Sequence, residues 1–181
     1  MSFYTGKGDD GTTGRLGKGR VPKNDARIEA IGTLDESSAA MGVARALVRD
    51  PRCRPLLLRA QRDLYRLMAE VASSPENAGQ FHFEAEHVDW LEQQIDALGK
   101  DAEMPGEFIV PGDSLAGAAL SVARAVARRA ERRLVDLAGS EQTANPALQQ
   151  YLNRLSSLLF VLELIENQAA GKETTRAKQD K

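Results

Sequence analysis

The stretch VARAVARRAERRLV, Val122 to Val135, sets five arginines and one glutamate among small apolar residues, with no glycine or proline to interrupt them. Such a composition folds as a helix. At 100° per residue, Arg124, Arg128 and Glu131 fall within an arc of about 60°. Ala119, Ala123, Ala127 and Ala130, with Leu134, make the adjacent stripe. Arginines this crowded are costly to pack unless an anion meets them. A triphosphate would do so, and so would a carboxylate on a neighbouring subunit. A solvated basic face is the plain alternative for a helix of this kind.

Outward from this helix the chain reads as helices joined by short connectors. Residues 26–48 carry small apolar residues with few breakers. A second helix is expected from Pro55 to Ala72, with Leu57, Leu64, Leu67, Met68 and Val71 at helical spacing. A third spans about Glu84 to Leu98, with Val88, Leu91, Ile95 and Leu98 as its buried stripe and Gly99 at its end. Ser114 can cap the fourth, which runs to about Ala138. Asn145 and Pro146 open the fifth, Leu148, Leu152, Leu155, Leu159 and Leu162 line its core face, and Gly171 closes it. Strand signal is almost absent, so the expected class is all-α: an up-and-down bundle of five helices over residues 26–171. Residues 172–181 are polar and expected to be without order.

Bulk properties exclude several classes. At 181 residues the chain makes one domain of comfortable size. A net charge of −2 gives no global electrostatic case for nucleic acid. Cys53 is the only cysteine, so no intrachain disulfide forms, and with His82 and His87 it gives no metal-ligand spacing. No apolar run approaches the roughly 20 residues that span a bilayer. The start, MSFYTGKGDDG, has neither an apolar signal core nor a transit-peptide pattern, and a cytoplasmic location is expected.

Residues 1–25 differ from the rest. Gly6, Gly8, Gly11, Gly14, Gly17 and Gly19 alternate with threonines, lysines and aspartates, without apolar period. Thr5 to Thr13, TGKGDDGTT, offers backbone N–H groups, hydroxyls and a lysine, the parts of a phosphate cradle. The order is neither a P-loop nor a dinucleotide fingerprint. A floppy terminus is the competing reading. On the fifth helix Asn153, Ser156, Ser157 and Phe160 share a face away from the leucines, and mid-helix asparagine is mildly unfavourable without a partner. The connector EFIVPGD presents Phe108 and Ile109, as a binding element or as core plugs. Asp35 and Glu36 could pair with an arginine or face water.

In order, YTGKGDDGTTG, RVPKNDARIEAIGTLDE, FIVPGD, VARAVARRAERRLV and YLNRLSSLLFVL resemble the PduO-type ATP:cob(I)alamin adenosyltransferases, over about residues 3–165. The resemblance implies a five-helix bundle with a glycine-rich N-terminal loop, assembled as a homotrimer with sites between subunits. It implies transfer of the 5′-deoxyadenosyl group from ATP to the cobalt of cob(I)alamin, with Mg²⁺ assisting and no metal ligands assigned. Thr5, Gly6, Lys7, Gly8, Thr12, Thr13 and Lys23 match positions that hold the nucleotide. Arg128, Arg129, Glu131 and Arg132 match the nucleotide-site block, and Asn153 matches an asparagine that reaches the same ligand. Asp35 and Arg124 match a pair that bridges subunits and supports activity, with Arg128 catalytic beside them. Phe108 matches the aromatic beneath the corrin ring. Helical geometry turns Arg129 and Arg133 away from Arg124 and Arg128. A reductase, or an enzyme that consumes adenosylcobalamin, is an implied partner.

The chain departs from the family pattern at Gly6, Ser37, Asp113, Ser121 and Ser157, where a basic residue, leucine, glycine, histidine and aspartate are usual. Asp113, Ser121 and Ser157 are expected to cluster on the corrinoid side. The alternative function is therefore a member that binds nucleotide or corrinoid as a sensor or carrier, without efficient transfer.

Overall fold

The computed structural model describes residues 3–17, 19–73, 77, 79–140 and 145–178. A short hairpin, β1 (Thr12–Gly14) and β2 (Arg20–Pro22), precedes five helices: α1 (Ala26–Leu47), α2 (Cys53–Ala72), α3 (Glu86–Gly99), α4 (Leu115–Ser140) and α5 (Pro146–Ala169). The five expected helices are present within a few residues. Their starts are fixed by local chemistry. The Asp25 side chain accepts from Arg27 N at 2.9 Å, and Asn145 Oδ1 accepts from Ala147 N at 3.0 Å ahead of Pro146. Ser114 Oγ accepts from Gly117 N at 2.9 Å, as expected of the cap of α4.

The packing order across the bundle is α2–α1–α4–α5–α3. Ion pairs Arg133–Glu29 and Arg129–Glu36 make α1 and α4 antiparallel, because α1 numbers rise as α4 numbers fall. Ser114–Asn167 and Asn153–Glu131 do the same for α4 and α5. Ala123, Ala127 and Ala130 of α4 are wholly buried, as are Leu152, Leu155, Leu159 and Leu162 of α5. At the top of α4 the approach is closer still: a Cβ on Gly117 would run into the Asn167 side-chain oxygen.

A buried charge joins the outer helices. Asp63 of α2 is fully buried and accepts from Arg59 Nε at 3.1 and 3.0 Å. Its carboxylate also meets Arg66 Nη1 at 3.3 Å, His87 Nδ1 of α3 at 3.1 Å and the Tyr151 hydroxyl of α5 at 3.4 Å. Phe83 stacks on His87 at 4.4 Å and meets Tyr151 edge-on at 5.1 Å. Burial and the neighbouring Asp63 charge push the Tyr151 hydroxyl well above its ordinary range. At the turn between α1 and α2, buried Glu166 accepts from Arg49 N at 3.1 and 2.9 Å and from Asp50 N at 3.0 Å.

Two segments differ from the sequence expectation. The N-terminal segment is a hairpin, with Thr12 opposite Pro22 and Gly14 opposite Arg20. Arg20 stitches it by donating to Thr12 Oγ1 at 2.8 Å, to Thr12 O at 3.0 Å and to the Lys7 carbonyl. The expected polar tail is not free over residues 172–178. Val110 N donates to Thr175 O and Ala177 N to Phe108 O, both at 2.8 Å. Asp113 adds bonds from Thr175 Oγ1 at 2.6 Å and Thr175 N at 3.0 Å. Residues 179–181 lie outside the described residues, as do Lys18, 74–76, 78 and 141–144.

Because Asp63 links three helices and its removal leaves the buried Tyr151 hydroxyl without its partner, Asp63→Ala is expected to cost about 1–3 kcal/mol. Urea denaturation reads this directly. A loss under about 1 kcal/mol would show that apolar packing alone holds α2, α3 and α5 together.

Candidate functional site

α4 divides its arginines among three directions. Arg129 pairs with Glu36 and Arg133 with Glu29 at 3.5 Å, so both turn toward α1. Asp35, the residue beside Glu36, is exposed. Arg128 and Arg132 point outward, without a hydrogen bond or ion pair to another described residue. They border an open depression of about 580 Å³ with Glu131, Arg129, Arg133, Val135 and Asp136. Asn153 Nδ2 donates to Glu131 Oε1 at 3.1 Å, and Arg154 Nη1 donates to Asn153 Oδ1 at 2.7 Å. A cationic depression with four arginines and two carboxylates, one of them positioned by Asn153, can bind a polyanion and order its counter-ion.

The N-terminal hairpin lies at the same end of the bundle. It leads into α1 just before Glu29, and a bridge from Leu16 to Ser73 with Arg27 Nη1 on Val71 O at 2.6 Å ties it to the end of α2. Gly6 and Gly11 adopt positive φ of 67° and 80°, which the turns there require. The Lys23 ammonium lies over Gly8, where a Cβ would approach Nζ to 3.2 Å. Thr12 is spent inside the hairpin: its hydroxyl donates to Asp10 at 2.7 Å and accepts from Arg20. These Thr12 bonds hold the Asp10 carboxyl below its usual range. Thr5 Oγ1 accepts from Lys7 N at 3.4 Å. Thr13 is half-buried in β1, and the Lys7 and Lys23 side chains are exposed. No described hairpin residue lines the arginine depression.

A second pocket lies toward the other end of α4. It measures about 440 Å³ and is lined by Phe108, Ile109, Arg124, Phe160 and the Pro105–Glu107 turn. Phe108 is 88% exposed, and its backbone is pinned by Ala177. The Arg124 guanidinium sits 5.8 Å from the centre of the Phe160 ring.

Behind this pocket is a residue the sequence reading passed over. Glu163 of α5 is 1% exposed, and neither carboxylate oxygen makes a well-formed hydrogen bond among the described residues, although the Ser121 hydroxyl is close enough to favour the charged form. Burial pushes its carboxyl up to about 7 from the ordinary 4.5, against the lowering effects of Arg124 and the Ser121 hydroxyl. Its signal was available: Glu163 falls four residues after Leu159, on the buried stripe.

Of the family departures, Asp113 holds Thr175 and, with buried Ser121, acts on Glu163, while Ser157 is exposed on α5. Ser37 is fully buried with its hydroxyl unpartnered. Of the polar face expected on α5, Ser156 is instead buried, its hydroxyl donating to Asn153 O at 2.8 Å.

Comparison with known proteins assigns the class. The cobalamin adenosyltransferase family model matches residues 3–166, and the chain belongs to that family. It is 40% identical over 172 residues to the corrinoid adenosyltransferase PduO of Salmonella typhimurium, covering 94% of this chain and 51% of that protein. The chain thus spans about half the length of that relative and of a similar PduO from Citrobacter freundii. A shorter corrinoid adenosyltransferase of Citrobacter freundii is 39% identical, with 91% and 94% of the two chains covered. Among solved structures, a variant PduO-type ATP:corrinoid adenosyltransferase from Lactobacillus reuteri, complexed with cobalamin and ATP, superposes with a TM-score of 0.91 at 30% identity, over 99% and 98% of the two chains.

Glu163 gives a pH-dependent stability. Its folded pKa lies above the unfolded one, so the folded chain retains a proton that the unfolded chain releases between about pH 4.5 and 7. Stability from this group is therefore lost as pH rises through that window. Glu163→Gln is expected to be more stable than the parent by about 3 kcal/mol near pH 8, and equal to it near pH 4. Denaturant titration at both pH values checks this, and equal stabilities at the higher pH would contradict it.

Proposed function

We propose that this chain transfers the 5′-deoxyadenosyl group of ATP to cob(I)alamin at sites between the subunits of a homotrimer. The observation that carries the reading is the outward pair Arg128 and Arg132, cations without partners among the described residues, on a depression that also holds Glu131, which Asn153 positions by a hydrogen bond. No described hairpin residue lines the depression, which supports a site completed by the hairpin of the next subunit. Thr5 to Gly8, Thr13 and Lys23 are then the nucleotide contacts from that side, and Thr12 shapes the hairpin that presents them.

In this reading cobalt(I) attacks C5′ of ATP. The Co–C bond forms as the C5′–O bond breaks, and the electron pair leaves with the triphosphate. The corrinoid is the nucleophile, so the protein supplies alignment and charge stabilisation. Arg128 and Arg132 meet the leaving triphosphate, Arg129 contributes from the α1 flank, and Arg124 reaches Asp35 of the neighbouring subunit. Exposed Phe108 forms an apolar floor under the corrin and keeps a lower ligand off cobalt. The described residues contain no cluster of three or more metal-ligating side chains, which fits magnesium arriving on the nucleotide, with Glu131 as the nearby acceptor. No described helix is long and apolar enough to cross a membrane. A cytoplasmic site of action, with a reductase or a consumer of adenosylcobalamin as partner, belongs to the same reading.

The decisive assay follows chemically reduced cob(I)alamin converting to adenosylcobalamin with MgATP, seen as a visible-spectrum change. A trimer that binds ATP without turnover would favour the sensor or carrier role. Saturating MgATP at about 100 times Kd is expected to raise Tm by about 5 °C or more. Arg128→Ala is expected to lower kcat/KM by about 100-fold or more with the trimer intact; retained activity would place the triphosphate elsewhere.

A further inference from the structure

Glu163 is a buried charge that the transfer step leaves unused. On the facing helix, the Nε of Arg124 is buried and likewise lacks a hydrogen-bond partner. Two opposite charges, each short of partners and set on packed antiparallel helices, form an incomplete pair. Leaving a carboxylate in this state costs stability, so apolar packing alone would favour a neutral residue there. The described groups that act on Glu163 are Arg124 and the Ser121 hydroxyl from α4, which favour its ionised form, and Asp113 from the connector, which opposes it. Arg124 and Phe160 line the pocket that holds Phe108, whereas Glu163 does not. Glu163 therefore stands one layer behind the wall that Arg124 forms.

We propose that Glu163 is a positioning residue of the corrinoid half of the site: it holds the Arg124 guanidinium against the pocket wall from within its own subunit and leaves the outer edge of that fork for Asp35 of the partner subunit. This rests on the transferase reading of the same site. A guanidinium carries five N–H donors in a planar fork, enough for two carboxylates on different edges. Without the inner carboxylate, Arg124 is free to swing toward the partner's Asp35 and the wall beside Phe160 loosens. With a carboxyl that titrates at about 7, the hold tightens as pH rises through neutrality.

The test uses the assembled enzyme, with Glu163→Gln as the shape-preserving variant and Glu163→Asp as the conservative one. Steady-state kinetics from about pH 6 to about 8.5 vary cob(I)alamin and MgATP in turn. Near pH 8, Glu163→Gln is expected to raise KM for the corrinoid about tenfold, with KM for ATP within about twofold. The parent's corrinoid KM should rise toward the Gln value as pH falls below about 7, while the Gln profile stays flat. Glu163→Asp should recover part of the loss. In parallel, ¹³C-glutamate NMR follows the carboxyl signal that Glu163→Gln removes; its midpoint should rise in Arg124→Met. Parent-like corrinoid KM at every pH in the Gln variant, or a midpoint that Arg124→Met leaves unmoved, overturns the proposal. If the parent shows no turnover, the transferase reading fails, and the NMR midpoint still decides whether Arg124 and Glu163 are coupled.

Discussion

Ala123, Ala127 and Ala130 are wholly buried where α4 passes between α1 and α5, and the arrangement of the functional surface follows from that seam. Small side chains let the three backbones approach closely, and Gly117 extends the contact to the Asn167 side chain. With one face of α4 committed to alanine packing, the remaining faces of a 3.6-residue helix are assigned by arithmetic. Arg129 and Arg133 fall over α1 and meet Glu36 and Glu29. Arg124 falls toward α5, over Phe160. Arg128 and Arg132 fall on the face that neither neighbour covers. A bulkier residue at Ala127 would push α4 outward and disturb all three directions together.

The two ends of α4 then carry different chemistry. Its C-terminal half is wet and cationic, suited to an anion whose charge grows as a bond breaks. Its N-terminal half is drier, with two phenylalanine rings and a guanidinium around a pocket walled by the 105–109 connector, and a buried carboxylate that does not reach the pocket. Salt screens the first strongly and the second weakly. The polar groups there are held in series: Asp113 to Thr175, and Ser114 to both Gly117 and Asn167.

Helices were legible where local chemistry decides the structure. Asp25, Ser114 and Asn145–Pro146 announce helix starts that the structure keeps, and the leucine period of α5 gives its buried face. The rotation argument separated Arg129 from Arg128 because α4 is straight enough for 100° steps to hold over one turn. The hairpin was not legible because it lacks apolar alternation; Arg20 holds it through hydrogen bonds to backbone oxygens far along the chain. Asp63 falls at helical spacing from Arg59 and Arg66, a pattern common on solvated faces, and only the positions of His87 and Tyr151 make it a buried hub. The tail read as free for a similar reason: its bonds are to the Phe108–Asp113 connector, more than 60 residues earlier, as the Thr175–Asp113 separation of 62 shows.

Asp63 and Glu163 set the cost of burying a carboxylate in two contrasting ways. Asp63 is surrounded by Arg59, Arg66, His87 and Tyr151, so its desolvation is offset by hydrogen bonds and charge. Glu163, equally buried, has a cation in range and no bond to it. A group that serves only stability would resemble Asp63. An unpaired Glu163 makes sense if the missing partner geometry is completed elsewhere, when ligand and neighbouring subunit fix Arg124 from outside. In that arrangement the uncompensated charge sits next to the Phe108 pocket, while the Asp63 hub ties the outer helices together.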